Sequence, residues 1–104
     1  LRVRIRLSPV AQGDILDISD YYAERSPTLA ERFIEELILT LHGLTRQPDM
    51  GSRRYAHLLP DRSLRMWQLD HFPYLLFYRN KDETLHLLRV LHERRALSRA
   101  IIEH

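Results

Sequence analysis

At 104 residues the chain has the length of a single domain, spanning 1–104, whose core buries roughly 65% of the unfolded surface. The absence of cysteine excludes disulfides and thiolate chemistry, and no apolar run approaches the ~18 residues that span a bilayer. A net charge of +2 hides an uneven distribution: residues 1–50 carry six Arg and eight acids, residues 51–104 nine Arg, one Lys and six acids, which permits an acidic or nucleic-acid partner without requiring one.

Val3, Ile5 and Leu7 alternate with Arg2, Arg4 and Arg6, the period of a strand with one buried face. The outward arginines would discourage pairing between molecules if this strand forms a sheet margin. This opening lacks the apolar block of a signal peptide, so a soluble cytoplasmic protein is the expectation. Ser8-Pro9 then reads as a capped helix start. Ala11, Ile15, Ile18 and Tyr22 form one helical stripe, with Asp14, Asp17, Asp20 and Glu24 mainly off it, and the helix should end near Arg25.

Ser26-Pro27 repeats the start signal. The second stripe is Ala30, Phe33, Leu37, Leu41 and Leu44, widened by Ile34 and Ile38, with Glu31, Arg32, Glu35 and Glu36 on the early solvent side. Gly43 weakens the last turn and Pro48 stops the helix. So short a connection predicts an antiparallel helical hairpin. Arg53–Leu58 reads as a weak strand, followed by a turn at Pro60–Ser63. Three strands are then predicted, Leu64–Asp70, Tyr74–Arg79 and Thr84–His92, joined by Asp70–Pro73 and Asn80–Glu83. Neither face of the middle strand is polar, with Tyr74, Leu76 and Tyr78 on one side and Leu75, Phe77 and Arg79 on the other. The hairpin can cover one side, which leaves the other to Ala96–Ile102 or to a partner. The fold expected is α+β, with a mainly antiparallel sheet and a C-terminal segment that is either a short helix or a tail.

The order and spacing of several pieces resemble the RelE/ParE superfamily of bacterial type II toxins, and its ParE branch more closely than the RNA-cleaving RelE branch. The pieces are Leu7-Ser8-Pro9 with Ala11 and Asp14-Ile15; Ser26-Pro27 with Ala30 and Phe33-Ile34; and Leu44 followed by Pro48 and Gly51. Leu64-Arg65, Tyr74 with Phe77-Tyr78-Arg79, and Val90 with His92 and Arg94-Arg95 complete the match. The resemblance implies a toxin held inactive by a cognate antitoxin, whose disordered segment folds over an apolar groove in a hetero-oligomer. For the ParE branch it implies DNA gyrase as the target and inhibition by binding rather than by catalysis.

The resemblance places Arg65, Arg79, Arg94 and Arg95 at basic positions near one rim of the sheet, where they could meet the antitoxin or the target. Alternatively, Arg65 and Arg79 pair with acids such as Asp70 or Glu83. Trp67, the sole tryptophan, is either core or an interface anchor. Tyr78 fits packing with a hydrogen-bonded hydroxyl. His92 with Arg65 and Arg94 or Arg95 could supply the base, cation and acid of a ribosome-dependent mRNA endonuclease, the alternative function. Residues 96–104 offer no tyrosine, and their only histidine is His104, so the acid group that RNA-cleaving relatives carry near their C-termini is not evident and His92 fits a structural or partner-binding role better. The six histidines show no i,i+3 or i,i+4 pairing, and three glycines at 13, 43 and 51 cannot form a phosphate loop. Neither metal nor cofactor is expected.

Overall fold

The computed structural model describes residues 4–95 and 97–102, so the expectations for Arg2, Val3, Ala96 and His104 lie outside the described residues. The elements are β1 (Arg4–Leu7), α1 (Pro9–Arg25), α2 (Pro27–Arg46), β2 (Arg65–Gln68), β3 (Tyr74–Lys81), β4 (Thr84–His92) and α3 (Arg99–Ile102). The helical hairpin packs on one mixed four-stranded sheet of order β1-β4-β3-β2. β2, β3 and β4 form the expected antiparallel meander. β1 is one of the two edge strands and pairs in parallel with β4, so that Ile5 meets Leu85 and Leu7 meets Leu87.

Ser8 makes the step from strand to helix. Its hydroxyl accepts from the Ala11 amide at 3.0 Å and donates to the Leu88 carbonyl at 2.9 Å. Its amide donates to the Leu87 carbonyl at 3.0 Å. Ser26 behaves differently from the sequence expectation: it closes α1 and opens α2 at once, and its side chain caps neither. Its amide donates to the Tyr22 carbonyl at 2.8 Å and its carbonyl receives the Leu29 amide at 3.0 Å. The backbone alone therefore makes the reversal. At the sheet end of the hairpin, Tyr22, Phe33, Phe72 and Tyr74 interlock with ring centroids 5.2–6.3 Å apart. Edge-on geometry of this kind adds about 0.5–1.5 kcal/mol per pair beyond area burial. Burial, the nearby Tyr74 hydroxyl and Tyr21 raise the Tyr22 phenol to about 12.

A bulge sets which side chains of β4 face the helices. Phe77 is opposite Arg89 while the next residue, Tyr78, is opposite Leu87, leaving Leu88 as the extra residue. Leu85 and Leu87 before the bulge and Val90 after it consequently join one cluster with Leu76, Tyr78 and the helix residues Ala11, Ile18, Phe33, Leu37, Leu41 and Leu44. The β3–β4 connection is tighter than expected. Asp82 and Glu83 alone form it, with φ of 53° and 58°, matching the paired left-handed residues of a primed hairpin turn.

The apolar part of the sheet's second face is closed by the chain itself and not by a partner, and of the two covers the sequence offered, the 96–102 segment contributes Ile102. Leu75, Phe77 and Leu91 pack there against Leu58, Leu59, Leu64 and Ile102. The cause is the 52–64 connection. Instead of the expected Arg53–Leu58 strand, only Ser52 bridges to Met66, and a 3₁₀ turn at Ala56–Leu58 drops its apolar residues under the sheet. Two helix assignments also change. Ile38 is 49% exposed and does not widen the core stripe. Asp14 faces inward, where Arg89 donates to its carboxylate through Nε at 2.8 Å and Nη2 at 2.9 Å. The side chains of this pair are 8% and 13% exposed. Arg89 Nη1 also donates to the Ile101 carbonyl at 2.9 Å, and the Val90 amide donates to Asp14 at 3.0 Å. One ion pair thus ties α1, β4 and α3 together.

Candidate functional site

With the apolar parts of both sheet faces covered, exposed apolar side chains remain on both helices, Leu16 and Tyr21 of α1 and Ile38 and Leu39 of α2, and Leu39 borders a groove. Leu29, Leu39 and Gly43 of α2, Met50, and Trp67 and Phe72 line this open groove of about 940 Å³. Leu39 is 73% exposed and Met50 49%. Of the nine α2 positions along this groove, 29, 32, 36, 39, 43 and 46 follow spacings of three and four, with Glu35, Thr40 and Leu44 beside them. They form a second stripe beside the core stripe of Phe33, Leu37, Leu41 and Leu44. One α-helix therefore presents a core face and a mixed apolar and charged face, and the sequence reading took only the first.

The loop that brings Met50 to the groove is held by Arg65 and Tyr78, which stand opposite each other on β2 and β3. The Tyr78 hydroxyl donates to the Pro48 carbonyl at 3.1 Å and accepts from the Gly51 amide at 2.9 Å. Burial raises its pKa, with the Gly51 bond and Arg65 acting the other way. Arg65 Nη1 donates to the carbonyls of Asp49 and Gly51 at 2.9 and 3.0 Å, and Nη2 lies 3.3 Å from the Asp49 carboxylate. Both residues hold the loop that carries Met50. Gly51 permits this approach: a Cβ there would lie 2.8 Å from Tyr78 Cζ and 2.9 Å from Arg65 Cβ. At the other end, the His71 amide and Nδ1 meet the Glu36 carboxylate at 3.2 and 2.7 Å, joining the β2–β3 loop to α2. Glu36 is therefore a groove residue, not a solvent one.

The remaining sequence-predicted residues separate into two groups, and the single basic rim is corrected by the register. Arg65 pairs with Tyr78, and Arg79 with His86, whereas His92 pairs with Tyr74. Tyr74 and Tyr78 are four residues apart on one strand, about 13 Å. Arg65 and Arg79 therefore lie towards one end of the strands, and His92, Arg94 and Arg95 at the other. The acids also differ from those expected: Arg65 meets Asp49, and Arg79 lies 3.7 Å from Asp61 rather than beside Glu83. Trp67 is half-buried, packed against the core and lining the groove.

His92 closes β4. Its ring meets Tyr74 edge-on at 5.5 Å, and its Nδ1 accepts the Arg94 amide at 3.1 Å. That bond shapes the turn on which Arg94 and Arg95 are exposed, neither meeting an acidic side chain among the described residues. Gln68 Nε2 donates to Glu93 at 2.9 Å and fastens the same turn to β2. His92 and Arg65 thus stand about four strand residues apart along the sheet, Arg65 bonded to the Pro48–Gly51 loop and His92 to its own turn. Among the described residues no three His, Asp or Glu side chains gather as a metal site, and no helix is long and apolar enough to cross a membrane.

The ParE toxin family, described as the ParE toxin of the type II toxin-antitoxin system parDE, matches residues 5–97. Among solved structures, the chromosomal ParDE TA system from P. aeruginosa is similar, with a TM-score of 0.71 and 18% identity, covering 86% of this chain and 95% of that one. No curated protein matches the chain. The α+β architecture and the matched span agree, and the chain belongs to the ParE toxin family of type II toxin–antitoxin systems.

Proposed function

We propose that the chain is a cytoplasmic, non-catalytic inhibitor of DNA gyrase, neutralised by a cognate antitoxin that fills the groove between α2 and β2. The observation that carries the antitoxin's seat is the α2 groove stripe with Leu39 73% exposed. A disordered partner segment must bury a large apolar area to offset the free energy of its own ordering. An amphipathic helix laid along Leu29, Leu39 and Met50, against Trp67 and Phe72, does so. Inhibition by binding is supported by the dispersed endonuclease candidates: Arg65 is committed to the Pro48–Gly51 loop and His92 to its turn. Arg94 and Arg95, exposed and without acidic partners among the described residues, are the cations we assign to the target contact.

Two assays on purified toxin test this reading. It should block DNA supercoiling by gyrase, with relief on adding the antitoxin encoded by the neighbouring gene, and leave mRNA on programmed ribosomes intact. Cleaved mRNA together with unimpaired supercoiling would establish the endonuclease alternative instead. The Arg94→Ala, Arg95→Ala double variant should lose inhibition while still binding antitoxin; full inhibition by that variant would remove the assigned contact.

A further inference from the structure

The turn end of the sheet carries a cationic surface that neither the groove nor the Arg94–Arg95 turn uses. Arg6 is opposite His86, and His86 is opposite Arg79, forming one row across three strands. Arg4, Thr84 and Lys81 form the next row towards the β3–β4 turn. Directly opposed residues project from the same face. Ile5 and Leu7 pair with Leu85 and Leu87 of the helix-side cluster, so the two rows lie on the opposite face. Neighbours within a row are about 4.8 Å apart and the rows about 6.6 Å apart. The apolar cluster of that face, Leu75, Phe77 and Leu91, sits further along the strands and leaves the rows open.

The surroundings add positive charge. Asp61 reaches Arg79, which brings the exposed Arg62 alongside, and Arg53 Nη2 donates to the Arg62 carbonyl at 2.8 Å. Arg4, Arg6, Arg53, Arg62, Arg79 and Lys81 thus face three acids, Asp61, Asp82 and Glu83. The pairing of Arg79 is weak. Asp61 is already held by Ser63 through bonds of 2.7 and 3.1 Å, and its distance to Arg79 is 3.7 Å. A planar guanidinium binds two oxygens of a tetrahedral phosphate through paired N–H donors, and Arg4 and Arg6 are exposed to do so. The one aromatic ring in the rows, His86, is half-buried between Arg6 and Arg79, which leaves no exposed ring on which a splayed base could stack. The nearby Tyr55 ring is engaged by Phe77 at 5.7 Å and by Arg54 at 5.4 Å. Cationic and without an exposed stacking platform, such a surface suits a duplex backbone rather than a single strand.

We propose that this end of the outer sheet face binds the phosphate backbone of duplex DNA without reading its sequence. The proposal stands independently of the gyrase reading. It is tested by fluorescence anisotropy of a short labelled DNA duplex with the full-length protein, titrated at several potassium chloride concentrations. The Arg4→Ala, Arg6→Ala, Lys81→Ala variant changes only exposed side chains and should bind at least about ten-fold more weakly, with its salt slope reduced by about 0.9 for each contact removed. Arg4→Lys with Arg6→Lys should retain binding, and unchanged circular dichroism and thermal midpoint confirm folding. Unaltered affinity of the alanine variant would overturn the proposal. So would the same loss from Arg94→Ala, Arg95→Ala, or tighter binding to a single strand or an RNA duplex.

Discussion

Tyr78 and Gly51 show how one close contact positions a surface some distance away. The phenol is fully buried, yet both of its hydrogen bonds go to the loop after α2. Tyr78→Phe keeps the packing volume and leaves the Gly51 amide without its acceptor, at a cost of about 1–3 kcal/mol in urea unfolding. Because the loop carries Met50, the variant should also weaken antitoxin binding measured by calorimetry. The role of Tyr78 was legible in the sequence, since a tyrosine in an apolar strand needs a hydroxyl partner. The role of Arg89 was not: an arginine within the Thr84–His92 strand gives no sign that a bulge at Leu88 will aim it at Asp14.

At the scale of elements, the helical hairpin and meander were readable because period, caps and prolines agreed. Pro9, Pro27 and Pro48 mark two helix starts and a stop, and β4 matches its expected limits, Thr84–His92. The Arg53–Leu58 segment misled because its apolar residues serve the sheet's underside from a turn rather than from a strand, a tertiary choice with no local period. The Asp14–Arg89 pair makes a sharp prediction about how these elements cohere. Asp14→Ala leaves a buried guanidinium unpaired and should cost about 3–5 kcal/mol. Pairing it with Arg89→Met should recover much of that loss in the same denaturation experiment, because both buried charges are then gone. A double variant no more stable than Asp14→Ala would show that the cost lies elsewhere.

For the whole molecule, the important revision concerns where the apolar surface lies. The strand pattern revealed more apolar surface than two helices could cover and offered 96–102 as one cover, which Ile102 bears out, but it did not show that Leu58, Leu59 and Leu64 would share in closing the second sheet face. The groove surface lies along α2, signalled by Leu39 falling outside the Phe33–Leu44 stripe. The hairpin's attachment to the sheet also has a pH signature. Tyr22 is raised from 10.0 to about 12, so the unfolded chain ionises first as the solution becomes alkaline. The stabilisation is complete below pH 10 and falls as pH rises through the folded value. Tyr22→Phe should therefore unfold less steeply with pH across this window, followed by circular dichroism.

The exposed stripe of α2 as the antitoxin's seat is tested most directly by Leu39→Glu. Its side chain is largely outside the core, so stability should change by less than about 0.5 kcal/mol. Titration calorimetry with the antitoxin's C-terminal segment should show the wild-type protein binding with a negative heat-capacity change. The variant should bind at least about thirty-fold more weakly, the loss of a hot spot of about 2 kcal/mol or more. A variant that folds normally and binds the segment as tightly as wild type would contradict the account.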